Sequence, residues 1–257
     1  MKNIRTVILC GGTGYRLKEE TEFKPKPMIE IGGKPILWHL MKIYAHWGFR
    51  DFVIALGYKG DFIKDYFINK KFYDGDFTLN ETRGSITRHK GKTKDKFNIT
   101  FVNTGSESLT GERVRRVAKY LNGSTFMLTY GDGLADINLF DLVAFHKKQK
   151  TIGTVSGVYP MLKYGGFDTN KNNLATLFER KARIRQIING GFMVFNKRIF
   201  DFIGADSMIE DAFYPLIKIK QLSVYHHKGM FHAMDTYQDV GDLNTMWNEK
   251  PFWKIWD

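Results

Sequence analysis

The chain has 257 residues and a composition that excludes several classes of protein. Its 43% content of hydrophobic residues is enough to bury a sizeable core, which excludes a disordered chain. No run of about 18 apolar residues is present, and Met1 to Cys10 does not have the pattern of a secretion signal. Cys10 is the only cysteine, which excludes disulfides within the chain and predicts a reducing, cytoplasmic location.

The net charge of +12 could indicate nucleic acid or an anionic membrane as a partner. However, the basic residues are spread along the chain, and the densest cluster, at 88–96, is interrupted by an acid. A solvated loop is the better interpretation of that cluster. We therefore expect neither nucleic acid nor a membrane as a partner, and the charge suits steering of small anionic substrates.

Short apolar runs alternate with amphipathic segments along the chain. The predicted strands are 6–10, 52–56, 126–130 and 152–158, and the predicted helices are 36–48, 61–69, 113–122 and 138–149. Gly48 is a plausible end of the first helix. This alternation predicts an α/β fold with a mostly parallel sheet flanked by helices, in which ligands bind beyond the carboxyl ends of the strands.

Residues 74–104 interrupt this alternation. They contain two segments of alternating polarity around a lysine-rich middle, which predicts an inserted β-hairpin. Because no low-complexity linker or internal repeat is present, we expect a single domain over 1–257.

The loop after the first strand contains Gly11, Gly12 and Gly14. It lacks the third glycine of a dinucleotide-binding loop and the Gly-Lys-Ser/Thr of an ATPase loop. Glycines let the backbone amides approach a phosphate chain closely, and Arg16 and Lys24 can bind phosphate oxygens. Lys26, between two prolines, is the less certain partner. The structural alternative is a glycine turn with surface lysines.

The longer stretch "GGTGYRLKEETEFKPKPMIEIGGKPILWHLMKIY" resembles the signature of the sugar-phosphate nucleotidylyltransferases. The resemblance continues through "GYKGDFIKDYF", "NTGSESLTGERVRRV", "TYGDGLAD", "INGGFMVF", "MDT" and "FWKIWD". Within that family, the chain is most similar to the glucose-1-phosphate cytidylyltransferases, and the hairpin at 74–104 is also similar. The resemblance implies a Rossmann-like nucleotidyltransferase fold, an acceptor-side and C-terminal region over about 151–257, and a homo-oligomer.

The resemblance also implies a reaction and a metal. A phosphorylated small-molecule acceptor attacks the α-phosphorus of CTP and releases pyrophosphate, giving a CDP-linked product. Arg16 and Lys24 correspond to catalytic, phosphate-binding positions. Asp132 and Asp235 correspond to ligands of Mg²⁺, with Mn²⁺ as a possible substitute. Without the resemblance, an aspartate beside two glycines is an ordinary turn residue.

By the same resemblance, Thr110, Gly111 and Arg113 line the base site, and Asp132 contributes to nucleotide binding. The family usually has Gly-Gly-Arg here, whereas this chain has Glu112 in the middle position. Its carboxylate either points to solvent or touches the ligand. Cytidine is the predicted base.

The acceptor side departs further from the family. Glu179, Arg180, Asn189 and Gly190 correspond to acceptor-binding positions, but Arg180 replaces a lysine that contacts the sugar or phosphate. Either the loop has drifted around the same glucose 1-phosphate, or the acceptor differs. Because the planar arginine suits a carboxylate, the departure favours a non-sugar acceptor such as phosphoglutamine.

Two other functions fit the sequence less well. A nucleic-acid-binding protein explains the charge but leaves "KPKPM", "YGDG" and "MDT" without a role. An inactive relative is disfavoured because Arg16, Lys24, Asp132 and Asp235 are all present. The aromatic tail at 252–256 either anchors an oligomer or caps the core.

Overall fold

The computed structural model describes residues 4–17, 21–73, 75–89, 95–161, 164–180, 182 and 186–256, without the side chains of Arg16, Lys71 and Tyr73. Its strands are β1 (Thr6–Cys10), β2 (Glu30–Ile31), β3 (Lys34–Pro35), β4 (Asp51–Leu56), β5 (Phe77–Asn80), β6 (Ser85–Arg88), β7 (Asn98–Asn103), β8 (Thr125–Tyr130), β9 (Gly133–Ala135), β10 (Gly153–Val158), β11 (Gly166–Thr169), β12 (Ala175–Glu179), β13 (Ile188–Asn196), β14 (Leu222–His226) and β15 (Phe231–Ala233). Its α-helices are α1 (Ile36–His46), α2 (Gly60–Tyr73), α3 (Thr110–Val117), α4 (Leu139–Gln149), α5 (Phe213–Lys218) and α6 (Tyr237–Glu249).

Seven strands form the central sheet in the order β14-β10-β13-β8-β1-β4-β7. Strand β1 is parallel to both β4 and β8, and β10 is parallel to β14. Only β13 runs antiparallel to its neighbours β8 and β10. The predicted α/β fold with a mostly parallel sheet is therefore confirmed.

Both faces of the sheet are covered, and this explains the uninterrupted apolar strands. Along β1, Ile8 and Cys10 join the core cluster under α1, α2, α4 and α6, whereas Val7 and Leu9 join the cluster under α3 and α5. Strand side chains alternate between faces, so a strand that is buried on both sides has no polar face.

The predicted first helix is confirmed with slightly different bounds. Helix α1 ends at His46, and Gly48 follows with φ +84°, a left-handed conformation that favours glycine. Most of α1 is buried, including Leu37, Leu40 and Tyr44. Asn138 caps α4 by accepting hydrogen bonds from the amides of Phe140 and Asp141, which fixes where that helix begins.

The insertion differs from the prediction. The hairpin consists of β5 and β6, with its turn at Glu81–Gly84, and lies wholly before the lysine-rich segment. The second alternating segment forms β7, which instead joins the edge of the central sheet beside β4. Part of the lysine-rich middle, at 90–94, lies outside the described residues.

The aromatic tail packs against its own chain. Trp253 is fully buried and its indole Nε1 donates to His39 Nδ1 at 3.3 Å, while Trp256 lies edge-on to Trp38. Of the two roles considered for the tail, these contacts match the one in which it caps the core of its own chain. Separately, no helix in the described ranges combines the length and the apolarity that a membrane crossing requires.

Candidate active site

The glycine loop lies at the edge of the sheet where the carboxyl ends of four parallel strands meet. The loop follows β1, Asp132 follows β8, Gly57 follows β4, and Thr104 follows β7. A cavity of about 330 Å³ opens there. Its lining includes six predicted site residues: Gly11, Gly12, Gly14, Thr110, Arg113 and Asp132.

Each glycine of the loop has a different reason to be glycine. A Cβ on Gly11 would lie 2.1 Å from Arg113 Nη1, so any side chain there would collide with the guanidinium. Gly14 adopts φ +67° and starts the 3₁₀ turn Tyr15–Leu17, which contains Arg16. A Cβ on Gly12 would meet nothing within 4 Å, so this glycine faces open space. The loop thus presents bare backbone to the cavity.

Arg113 is buried and holds the loop in place. Its Nη2 donates to the carbonyls of Gly11 and Ser106, each at 3.0 Å. Its Nη1 donates to Gly105 O at 2.6 Å and Thr104 Oγ1 at 2.8 Å. Burial lowers the pKa of the guanidinium, but both of its Nη groups donate to oxygens of the surrounding protein. Arg113 therefore shapes the cavity wall through the backbones after β1 and β7.

The beginning of α3, the helix that also carries Arg113, forms a further part of the cavity wall. Thr110 Oγ1 accepts from Ile209 N at 2.9 Å, and the Gly111 amide donates to Ser207 O at 2.9 Å. A Cβ on Gly111 would lie 2.7 Å from that same carbonyl, so glycine lets the helix approach this segment closely. Thr110 and Met208 line the cavity, whereas Gly111 serves as a packing contact behind them.

Glu112, the departure from the family pattern, pairs within its own helix. Its Oε1 accepts from Arg116 Nε at 2.9 Å, one helical turn later. Glu112 does not line the cavity. The carboxylate is therefore engaged within α3 and outside the lining of this cavity.

Asp132 and Asp235 meet through a small antiparallel pair of strands. Strand β9, just after Asp132, pairs with β15, just before Asp235. The carbonyl of Asp132 accepts from Met234 N at 2.9 Å, and the Asp235 amide donates to the buried Asp239 carboxylate at 3.0 Å. Asp239 also caps α6, so the backbone of Asp235 is held rigidly.

Lys26 lies between these two carboxylates. Its Nζ is 2.6 Å from Asp132 Oδ2 and 2.8 Å from Asp235 Oδ1. Burial lowers the pKa of this ammonium, but the two carboxylates outweigh burial and the net shift is upward, so Lys26 stays charged. Lys24, on the same segment, is half-buried and lines neither of the two cavities described for this edge.

A second cavity, of about 210 Å³, continues from the first. Tyr130 and Asp132 line both cavities, and Asn189, Gly190 and Asp235 line only the second. The Tyr130 hydroxyl donates to Glu210, and burial together with that carboxylate raises the pKa of Tyr130 well above its usual range. A neutral phenol is therefore fixed at the junction.

The other predicted acceptor residues lie elsewhere. Glu179 and Arg180 are exposed at the end of β12, whose hairpin with β11 stands outside the central sheet. Neither of them lines the two cavities. The structure thus brings Asn189 and Gly190 to Asp235 but leaves Glu179 and Arg180 apart. Lys181 and residues 183–185 fall outside the described ranges.

Sequence reasoning underestimated Lys26 and missed Tyr130, Met208 and Glu210. The charge of Lys26 gave no way to separate it from Lys24, because both lysines of "KPKPM" are followed by a proline and look alike without a fold. Tyr130 directly precedes "GDG" at the carboxyl end of a predicted strand. Ligands bind at such strand ends in α/β folds, so the sequence alone could have indicated Tyr130 as a site residue.

A glycine loop, two carboxylates and a partly buried lysine at the carboxyl edge of an α/β sheet are typical of an enzyme that binds phosphorylated ligands. The chain belongs to the nucleotidyl transferase family, whose model matches residues 5–254. It is 41% identical to a probable glucose-1-phosphate cytidylyltransferase of Bacillus subtilis, over 98% of this chain and 100% of that protein. It is 38% identical to the glucose-1-phosphate cytidylyltransferase of Salmonella typhimurium, over 99% and 100%.

The fold agrees with a solved structure as well. HddC from Yersinia pseudotuberculosis superposes with a TM-score of 0.69 at 23% identity, over 95% of this chain and 99% of that one. The superposition confirms the predicted fold, and the family match with the two relatives confirms the predicted enzyme class, a nucleotidyltransferase.

Proposed function

We propose that this chain transfers CMP from CTP to a sugar 1-phosphate, with glucose 1-phosphate as the first candidate acceptor. An oxygen of the acceptor phosphate forms a bond to the α-phosphorus of CTP, the bond from that phosphorus to the bridging oxygen breaks, and pyrophosphate leaves. The observation that carries the proposal is the junction of two cavities at Asp132, with Lys26 and Asp235 beside it. A nucleotide in one cavity and a phosphorylated acceptor in the other would meet there.

Binding and orientation account for much of such a reaction, because two polyanions must be aligned and their charge neutralised. The bare loop of Gly11, Gly12 and Gly14 leaves room for a triphosphate, and Arg16 follows it in the chain. We assign the main phosphate-neutralising role to Lys26 because it lines the first cavity and contacts both Asp132 and Asp235. The role predicted for Lys24 remains a prediction that a matched variant can test.

Asp132 and Asp235 fit a divalent cation. Two carboxylate oxygens from separate parts of the chain converge on one position, and that position already accommodates a positive charge. Carboxylates are the protein ligands that Mg²⁺ and Mn²⁺ prefer. We propose that these two residues hold the ion, which when bound would offset negative charge on the phosphates.

The cavity wall of Leu109, Thr110 and Met208 is the proposed base site. The proposal of cytosine is supported by the two relatives that are named for CTP chemistry and span nearly the whole chain. The same relatives support a sugar phosphate as acceptor. The exposed position of Arg180 weakens the argument for phosphoglutamine, since the departure lies outside both cavities.

Pyrophosphate release across a matrix of nucleotides and acceptors tests the proposal. CTP, UTP, dTTP and GTP should each be combined with glucose 1-phosphate, mannose 1-phosphate and phosphoglutamine, in the presence of Mg²⁺. We expect CTP with a sugar 1-phosphate to give the highest kcat/KM. Equal values for CTP and UTP would contradict the base assignment, and turnover of phosphoglutamine alone would contradict the acceptor assignment.

A further inference from the structure

We infer that the Lys26 ammonium occupies the place of the divalent cation in the nucleotide-free protein and must leave it before the ion can bind. This inference rests on the proposed function for the identity of the ion. It assigns Lys26 a second role, as the group that keeps the two carboxylates from binding a metal until a nucleotide arrives.

The contacts of Nζ are those of a cation held by two ligands. It approaches Asp132 Oδ2 at 2.6 Å and Asp235 Oδ1 at 2.8 Å, which are the distances of charge-assisted hydrogen bonds. The two aspartates are 103 positions apart in the sequence numbering and come from different strand ends. A positive charge between them offsets the repulsion that two neighbouring carboxylates would otherwise feel.

The ammonium and a divalent ion cannot share this place. Both would bind between the same two carboxylates, and Mg²⁺ draws its ligands to about 2.1 Å, closer than the ammonium does. A cation of charge +2 next to an ammonium of charge +1 is also strongly repelled in a partly buried site. Binding of the ion therefore requires Nζ to move away.

The local structure lets the side chain move while the backbone stays. Lys26 starts a 3₁₀ turn, Lys26–Met28, in which Pro25 and Pro27 restrict the chain. The amide of Met28 donates to Pro25 O at 2.8 Å, and Pro27 is buried. Only rotation about the four-carbon stem of the lysine is left as a low-cost movement.

The exposure of the three side chains points to the direction of exchange. Lys26 is 13% exposed, whereas Asp132 and Asp235 are 28% and 39% exposed. The two aspartate side chains are thus more open to solvent than the lysine side chain is. Phosphate oxygens of a bound nucleotide would offer Nζ a new anionic partner in the first cavity, which Lys26 lines. We expect the ion to enter with the nucleotide and not before it.

A titration of the nucleotide-free protein with Mn²⁺ tests this inference without turnover. Electron paramagnetic resonance reports the concentration of free Mn²⁺ at each step of the titration. Lys26→Met removes the ammonium and keeps most of the stem. We expect it to bind Mn²⁺ about tenfold or more tightly than the unmodified protein, because both carboxylates become available and repulsion is lost. Lys24→Met removes the same charge from the same segment and should change Mn²⁺ affinity less than about twofold.

A double variant and a thermal readout complete the test. Lys26→Met with Asp132→Asn should lose the gained affinity, since the gain depends on both carboxylates. Lys26→Met should also melt at a lower temperature without metal and gain more from Mn²⁺ than the unmodified protein does. If Lys26→Met does not fold, Lys26→Gln serves in the same measurements.

Equal or weaker Mn²⁺ binding in Lys26→Met would overturn the inference, as would an equal gain in Lys24→Met. These outcomes are separable from a failure of the proposed function, which the pyrophosphate assay reports on the unmodified protein.

Discussion

Arg113 and Gly11 touch although 102 residues separate them: Arg113 Nη2 donates to Gly11 O at 3.0 Å. The contact leaves no room for a side chain at position 11, where a Cβ would lie 2.1 Å from Nη1. The first glycine of the loop is thus required by an arginine of α3 and not by the ligand alone.

Gly11→Ala should destabilise the fold by about 2 kcal/mol, because the new methyl group displaces a buried guanidinium whose two Nη groups are hydrogen-bonded. The matched control is Gly12→Ala, where the added Cβ meets nothing within 4 Å. Its effect on unfolding should stay within about 0.5 kcal/mol. Urea unfolding of both variants measures the difference, and equal stability of the two would refute the role assigned to Arg113.

Lys26→Met should lower kcat by about 10²-fold or more, since it removes charge compensation at the cavity junction. Lys24→Met should have a clearly smaller effect, because Lys24 lines neither cavity. Steady-state pyrophosphate release with saturating CTP checks the pair. A larger loss in Lys24→Met would restore the sequence-based assignment.

Arg180→Lys should leave kcat/KM for glucose 1-phosphate within about twofold of the unmodified protein, because Arg180 is exposed and lies outside both cavities. Asn189→Ala, inside the second cavity, is the contrasting variant and should raise KM for the acceptor while KM for CTP holds. If Arg180→Lys selectively weakens use of the acceptor, the arginine contacts it after all.

The thiol of Cys10 should be inert in the folded protein. Cys10 is 1% exposed, and burial, together with nearby Asp132, raises its pKa well above the usual range. A chromogenic thiol-specific reagent should therefore label no thiol at pH 8 under native conditions. In guanidinium chloride it should label one thiol per chain. Rapid native labelling would show that the end of β1 opens far more readily than this packing implies.

His39 should make the fold acid-sensitive. Burial lowers its pKa to about 4, with Nε2 donating to Ile31 O at 2.7 Å and Nδ1 accepting from Trp253. Below pH 6.5 the unfolded chain binds a proton that the folded chain refuses until about pH 4, so stability falls as pH falls through this window. At the acidic end of this pH window, His39 should lower the free energy of unfolding by about 3 kcal/mol.

Urea unfolding at pH 7.5, 6, 5 and 4.5 measures the slope of the free energy of unfolding against pH. His39→Gln, which retains a neutral donor, should flatten it, whereas His89→Gln on the exposed hairpin should not. An unchanged slope in His39→Gln would assign the acid sensitivity to other groups. His146 is a candidate, because burial lowers its pKa to about 4 as well.

The sequence by itself determined the strands and helices around the first half of the sheet and the location of the glycine loop. These depend on local periodicity and on residues such as Gly48, whose φ of +84° only glycine adopts readily. The family signature predicted a shared site for Asp132 and Asp235, and the fold brings the two carboxylates to the same lysine. An ordered series of motifs carries more information than any single one.

Tertiary structure alone decided which lysine contacts Asp132 and Asp235. It also decided which of the predicted acceptor-binding residues line the second cavity. Lys26 meets Asp132 across 106 residues and Asp235 across 209, distances over which a linear pattern gives no register. The same limit explains β7: its alternation fits a hairpin strand or a sheet edge equally well, and only pairing with β4 distinguishes them. Local patterns fix backbone conformation, whereas contacts between distant segments depend on how the whole sheet closes around its core.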